Sequence, residues 1–128
     1  MPAASIASLR RFTEAWALRL GLGTPDAGGW GISVTWATKA DAANGLISDE
    51  DAGSCVWMIE HREANIYLNK RYAADLAELH LTIIHELLHI RLEGHLPRAK
   101  RYDPHYEHAI NYLSGALRAL AESNPGDK

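Results

Sequence analysis

The sequence predicts an α+β domain, in which one helix, three short strands and two further helices follow one another along 128 residues. Three observations carry this. Apolar residues recur at intervals of three and four near both ends of the chain, the period of amphipathic helices. Between Trp30 and Asn69 they alternate, or cluster in short runs bounded by polar turns, as strands do. Finally, a long apolar helical run contains His85-Glu86-Leu87-Leu88-His89, a complete H-E-x-x-H.

From Ser5 to Leu20 the residues Ile6, Leu9, Phe12, Trp16 and Leu20 form one stripe, so the first helix backs a core, and Gly21 to Gly29 ends it. Trp30 to Trp36 alternates large apolar with small or polar residues and predicts a strand with one buried face. Lys39 to Ser54, with Asn44-Gly45 and Asp49-Glu50-Asp51, reads as a long, flexible surface connection. Cys55 to Glu60 and Ala64 to Asn69 are two more strands. The tight polar turn between them, around His61-Arg62-Glu63, predicts an antiparallel hairpin and hence a small, mostly antiparallel sheet.

Asp75, with Glu78 three residues on, predicts a capping box at the start of the next helix. Leu76, Leu79, Leu81, Ile83, Ile84, Leu87, Leu88, Ile90 and Leu92 cover most of its circumference. One polar sector remains, formed by Glu78, Thr82, His85, Glu86, His89 and Glu93; His80 and Arg91, near the helix ends, are expected to reach outward. Gly94 and Pro97 stop this helix. After the basic stretch Arg98-Ala99-Lys100-Arg101, Asp103-Pro104 opens a last helix running to about Glu122, with a core stripe of Ile110, Leu113, Leu117 and Leu120. Glu107 stands one turn before Ile110 on that stripe, so its carboxylate is expected to point inward. Residues 123–128 are expected to form a disordered tail.

Composition narrows the function classes. The length is that of a single domain spanning residues 1–128. A formal charge of -3 and a pI near 6.1, without a basic stripe, argue against nucleic acid as a partner. Nowhere do enough apolar residues run together to span a membrane, and the N-terminus lacks a secretory pattern. One cysteine, Cys55, excludes an intrachain disulfide and suits a reducing, cytoplasmic setting, where it is expected to be a small buried strand residue.

On a helix, residues four apart share a face, so His85 and His89 can present two imidazole nitrogens to one metal ion with Glu86 beside them. An inward Glu107 needs a partner, because an unpaired buried carboxylate is costly. Coordination supplies one and gives two histidines, a glutamate and an open position, the pattern of catalytic zinc sites. A salt bridge to Arg98, Lys100 or Arg101 is the alternative for Glu107. Two other third ligands stand open. His95 lies ten residues after His85, although Leu92 occupies the place where H-E-x-x-H-x-x-G-x-x-H needs its glycine; His105 begins the last helix.

The order of elements, the H-E-x-x-H helix and the segment Glu107-His108-Ala109-Ile110-Asn111 resemble a minimal gluzincin metallopeptidase domain, of the kind found in phage-related and other small prokaryotic proteins. The resemblance runs from about Ile6 to Leu120. It implies a zincin-like fold holding one Zn2+ on His85, His89 and Glu107, and hydrolysis of a peptide or protein substrate by a water that the metal and Glu86 activate. Tyr106, His108 and Tyr112 are candidate oxyanion donors, and Asn111, one turn after Glu107, is a candidate support for that carboxylate. An exposed edge strand is expected to receive an extended peptide. The other function carried by the same residues is a non-catalytic module, binding or regulatory, that zinc stabilises.

Overall fold

In the computed structural model, residues 4–24, 26, 28–93 and 104–122 are described. Helix α1 is Ile6–Arg19, strand β1 Gly31–Trp36, helix α2 Lys39–Ala43, strand β2 Gly53–Met58, strand β3 Glu63–Leu68, helix α3 Leu76–Glu93 and helix α4 Pro104–Glu122. Single 3-10 turns at Ile59–His61 and Lys70–Tyr72 flank β3. The architecture is α+β, as the periodicity predicts. Among the described residues no helix is long and apolar enough to cross a membrane.

Local chemistry explains most boundaries. Ser5 accepts the Ser8 N–H and caps α1. The stripe of this helix is as expected, with Leu9 and Trp16 buried, and Thr13 joins it by donating its hydroxyl to the Leu9 carbonyl at 2.7 Å. Asp75 accepts the Glu78 N–H at 3.1 Å at the head of α3. The reciprocal half of the expected capping box is replaced, because the Asp75 N–H already donates to the Tyr72 carbonyl.

The sheet has the order β1-β3-β2 and is mixed, which corrects the mostly antiparallel expectation. The β2–β3 hairpin is antiparallel, pairing Met58 with Glu63 and Gly53 with Leu68. The β1–β3 pairing is parallel, Gly31 with Glu63 through Trp36 with Leu68. A short turn announces its own hairpin, but nothing local in β1 records which strand it will join or in which direction. Ala64, Ile66 and Leu68 of β3, with Val34 and Cys55, form the buried face. Against it pack Leu79, Ile83, Ile84 and Leu87 of α3, and Leu9 and Trp16 of α1.

Two further expectations change. The connection from Lys39 to Ser54 is not a loose rim. It begins with α2, held by a Thr38–Asp41 capping box, and buries Ile47. Asn69 then donates to the Asp49 and Asp51 carbonyls at 3.0 Å each, and the Tyr72 hydroxyl donates to the Glu50 carbonyl at 3.1 Å. Its last two residues, Gly53 and Ser54, belong to β2. On α4 the inward line is the buried Ile110 and Ser114 with the half-buried Leu117, not Ile110, Leu113, Leu117 and Leu120: Leu113 and Leu120 are 38% and 61% exposed. Close approach of α4 to α3 favours the small Ser114, whose hydroxyl is satisfied by the Ile110 carbonyl at 2.6 Å. Gly94, Pro97, the 98–101 stretch, Asp103 and the 123–128 tail lie outside the described residues.

One close contact positions the site. A Cβ placed on Gly53 would lie 2.7 Å from Cγ2 of Thr82 and 2.9 Å from the Tyr67 carbonyl oxygen. Only glycine lets the start of β2 lie this close to α3, one turn before His85.

Candidate metal centre

Helix α3 is buried on the faces that meet the sheet, α1 and α4, and the polar sector between them carries His85 and His89. Their Nε2 atoms lie 3.2 Å apart. Glu107, in the first turn of α4, spans both: Oε1 is 3.0 Å from His85 Nε2 and Oε2 is 2.9 Å from His89 Nε2. The three side chains therefore converge on one point and can hold a metal ion. A four-coordinate ion bound at about 2.0–2.1 Å needs ligand atoms roughly 3.3 Å apart, close to what is seen here. Two imidazole nitrogens facing each other beside a carboxylate need a cation or proton between them, which suits this donor set to a metal.

The two histidines are supported differently. His89 is buried, and its Nδ1 donates to Oε2 of Glu93, a residue with no exposed surface. That bond leaves the Nε2 lone pair of His89 available to a cation at the point it shares with His85 and Glu107. His85 is half-buried; burial holds its pKa below the ordinary histidine value, opposed by the negative charge of Glu107 and by a hydrogen bond with Asn111. Asn111 thus supports His85, one helix across, where the sequence had suggested Glu107. The Trp57 ring flanks His89, centroids 6.5 Å apart.

Glu86 is buried at the edge of this cluster and opens into a cleft lined by Asp51, Gly53, Glu78, Thr82 and Asn111. Its pKa is pushed up to about 8, first by burial and then by the negative charges of Glu107 and Asp51. Asp51 reaches this position because Asn69 and Tyr72 pin the segment that carries it.

The other sequence candidates fare unequally. Glu107 keeps 41% of its side chain exposed, so it lies over the cleft and is not sunk in the core. Tyr112 is 78% exposed and His108 is exposed as well. At 100° per residue they stand about 140° and 100° round α4 from Glu107, so neither is brought to the cluster. His95 lies outside the described residues, as do the side chains of His105 and Tyr106 and the basic residues Arg98, Lys100 and Arg101. Arg91 reaches outward as expected and donates to the Leu20 carbonyl at 3.0 Å. His80 instead stacks on Phe12. Glu93 was legible as one more polar residue on α3 but not as a partner of His89; the four-residue spacing His89-x-x-x-Glu93 is the signal for it.

No protein-family model, no curated protein and no solved structure matches this chain. Its function is argued from the site.

Proposed function

We propose that this chain is a zinc-dependent metallopeptidase of the gluzincin type. The observation that supports it is the convergence of His85, His89 and Glu107 on one point, with the buried Glu86 next to His85 on the same helix. Two imidazoles and one carboxylate suit Zn2+ and leave a fourth position open. Zinc held there would lower the pKa of a water towards about 7 and polarise a substrate carbonyl.

The remaining work falls to the chain. Glu86 is the general base: it takes the proton of the attacking water and returns it to the leaving amine. Burial and two neighbouring carboxylates raise its pKa, whereas a nearby cation lowers it, so its proton affinity is poised between the two tasks. Glu93 fixes the orientation of His89, and Asn111 that of His85. Strand β2 is an edge of the sheet, and Gly53 holds it against α3, so an extended peptide that pairs with β2 would place its main chain beside Glu86. Main-chain pairing of this kind favours loose sequence preference.

The test is cleavage of an unstructured protein substrate by the zinc-loaded chain. Glu86→Gln should retain zinc and lose cleavage. Cleavage that survives this substitution overturns the assignment.

A further inference from the structure

Helices α1, α3 and α4 leave between them a second cavity of about 580 Å³. Small-molecule sites span roughly 300–1,000 Å³. The two α3 residues in its wall, His80 and Ile84, lie about 140° round the helix from His85 and His89, so this cavity opens on the opposite side from the metal centre.

Its lining combines two kinds of group. The floor is aromatic and apolar. Phe12 and His80 stack with centroids 3.7 Å apart and planes 3° from parallel, and Trp16 lies against Phe12 at 6.2 Å. The rim carries three guanidinium groups, Arg11 and Arg19 from α1 and Arg118 from α4, against one carboxylate, Glu122. Arg19 covers the Trp16 ring at 4.9 Å, and Arg118 pairs with Glu122 at 3.0 Å. A positively charged rim is therefore gathered on a chain whose formal charge is negative. Burial and the nearby Arg118 hold the pKa of His80 down, so the floor itself is neutral at neutral pH.

We propose that this cavity binds a small aromatic carboxylate. The ring would lie on the floor formed by Phe12, Trp16 and His80, and the carboxylate would meet Arg11 and Arg118, whose planar forks suit it. Aromatic lining without positive charge would take neutral ligands equally well, and surface arginines without the lining would hold only a solvated ion. The joint presence of both selects the class. The site does not depend on the metal centre or on the peptidase reading.

The experiment titrates the full-length chain with 2-naphthoate and, separately, with the uncharged 2-naphthylmethanol, following backbone and indole resonances by NMR. Saturable shifts are expected at Trp16, His80 and Arg118, with the alcohol at least about ten-fold weaker than the anion. Arg11→Gln with Arg118→Gln should remove that difference while leaving the weak binding of the alcohol. Ala121→Phe, which fills the cavity from α4, should abolish both without altering the circular dichroism spectrum or zinc affinity. Arg11 is exposed, so Arg11→Gln alone keeps the test available if the larger change disturbs folding; it should weaken naphthoate and not the alcohol. Equal binding of the two ligands, shifts centred on His85 and Glu107, or no saturable binding overturns the proposal.

Discussion

Glu93 offers the sharpest test of how the metal centre is built. Its carboxylate has no exposed surface and receives the Nδ1 hydrogen of His89, the more deeply buried of the two histidines. Glu93→Gln keeps a side-chain oxygen able to accept that hydrogen but removes the negative charge that makes the imidazole a better donor to a cation. Glu93→Ala removes the acceptor as well and leaves a small cavity beneath His89. Loss of such a supporting group weakens metal binding about 10–100-fold, or about 1.4–2.7 kcal/mol, so Gln should fall near the lower figure and Ala near the upper. The assay is competition for zinc against a chromogenic chelator at pH 7.5, with circular dichroism to show that each variant is folded. If both folded variants bind zinc as tightly as the parent chain, His89 does not rely on Glu93 and the reasoning fails.

Three further outcomes follow from the same geometry. In the metal-free protein Glu86 has a folded-state pKa of about 8 against an ordinary 4.5, so its contribution to stability is fully present below about pH 4.5 and lost as pH rises through about 8. Urea unfolding of the zinc-free chain should therefore show a decline on the order of 3–5 kcal/mol across that window, and Glu86→Gln should flatten it; an unchanged slope in the variant assigns the effect elsewhere. Gly53→Ala should cost about 1–3 kcal/mol in thermal or urea unfolding, because its Cβ meets the Tyr67 carbonyl as well as Thr82, and a backbone atom cannot step aside. Ile110→Ala should cost about 2–4 kcal/mol and Leu113→Ala less than about 1 kcal/mol, an order that the reverse assignment of the α4 stripe would invert.

What could be read from the sequence follows the range over which each signal acts. Leu9 and Trp16 sit in a local period, so α1 was legible from its stripe, whereas its Ser5 cap is seen only in the structure. The run from Ala64 to Asn69 likewise identified β3, whose buried face the structure assigns to Ala64, Ile66 and Leu68. The parallel partnership of β1 was not legible, since it depends on a strand far along the chain and leaves no trace in the turn residues. On α4 two stripes compete, one ending in Leu113 and Leu120 and the other passing through Ser114. Apolarity favours the first, and the closeness of α3 selects the second. At the centre, the spacing of His85 and His89 and the place of Glu107 one turn before Ile110 marked the three groups as candidates to meet, with His95 and His105 left open beside Glu107. The roles of Glu93, Asn111 and Asp51 were hidden because each depends on which ring nitrogen or carboxylate a neighbour happens to face.

The central place of β3 also has a kinetic consequence. Its antiparallel partner is joined to it by only a few residues, so the β2–β3 hairpin closes a short loop, whereas pairing with β1 must close one of about thirty residues. The cheaper closure is expected to come first, with β1 and α1 docking afterwards onto an exposed β3 edge. Substitutions at Trp57 or Ile66 should then slow refolding, and those at Val34 should chiefly hasten unfolding, a division that stopped-flow measurements on single variants would reveal.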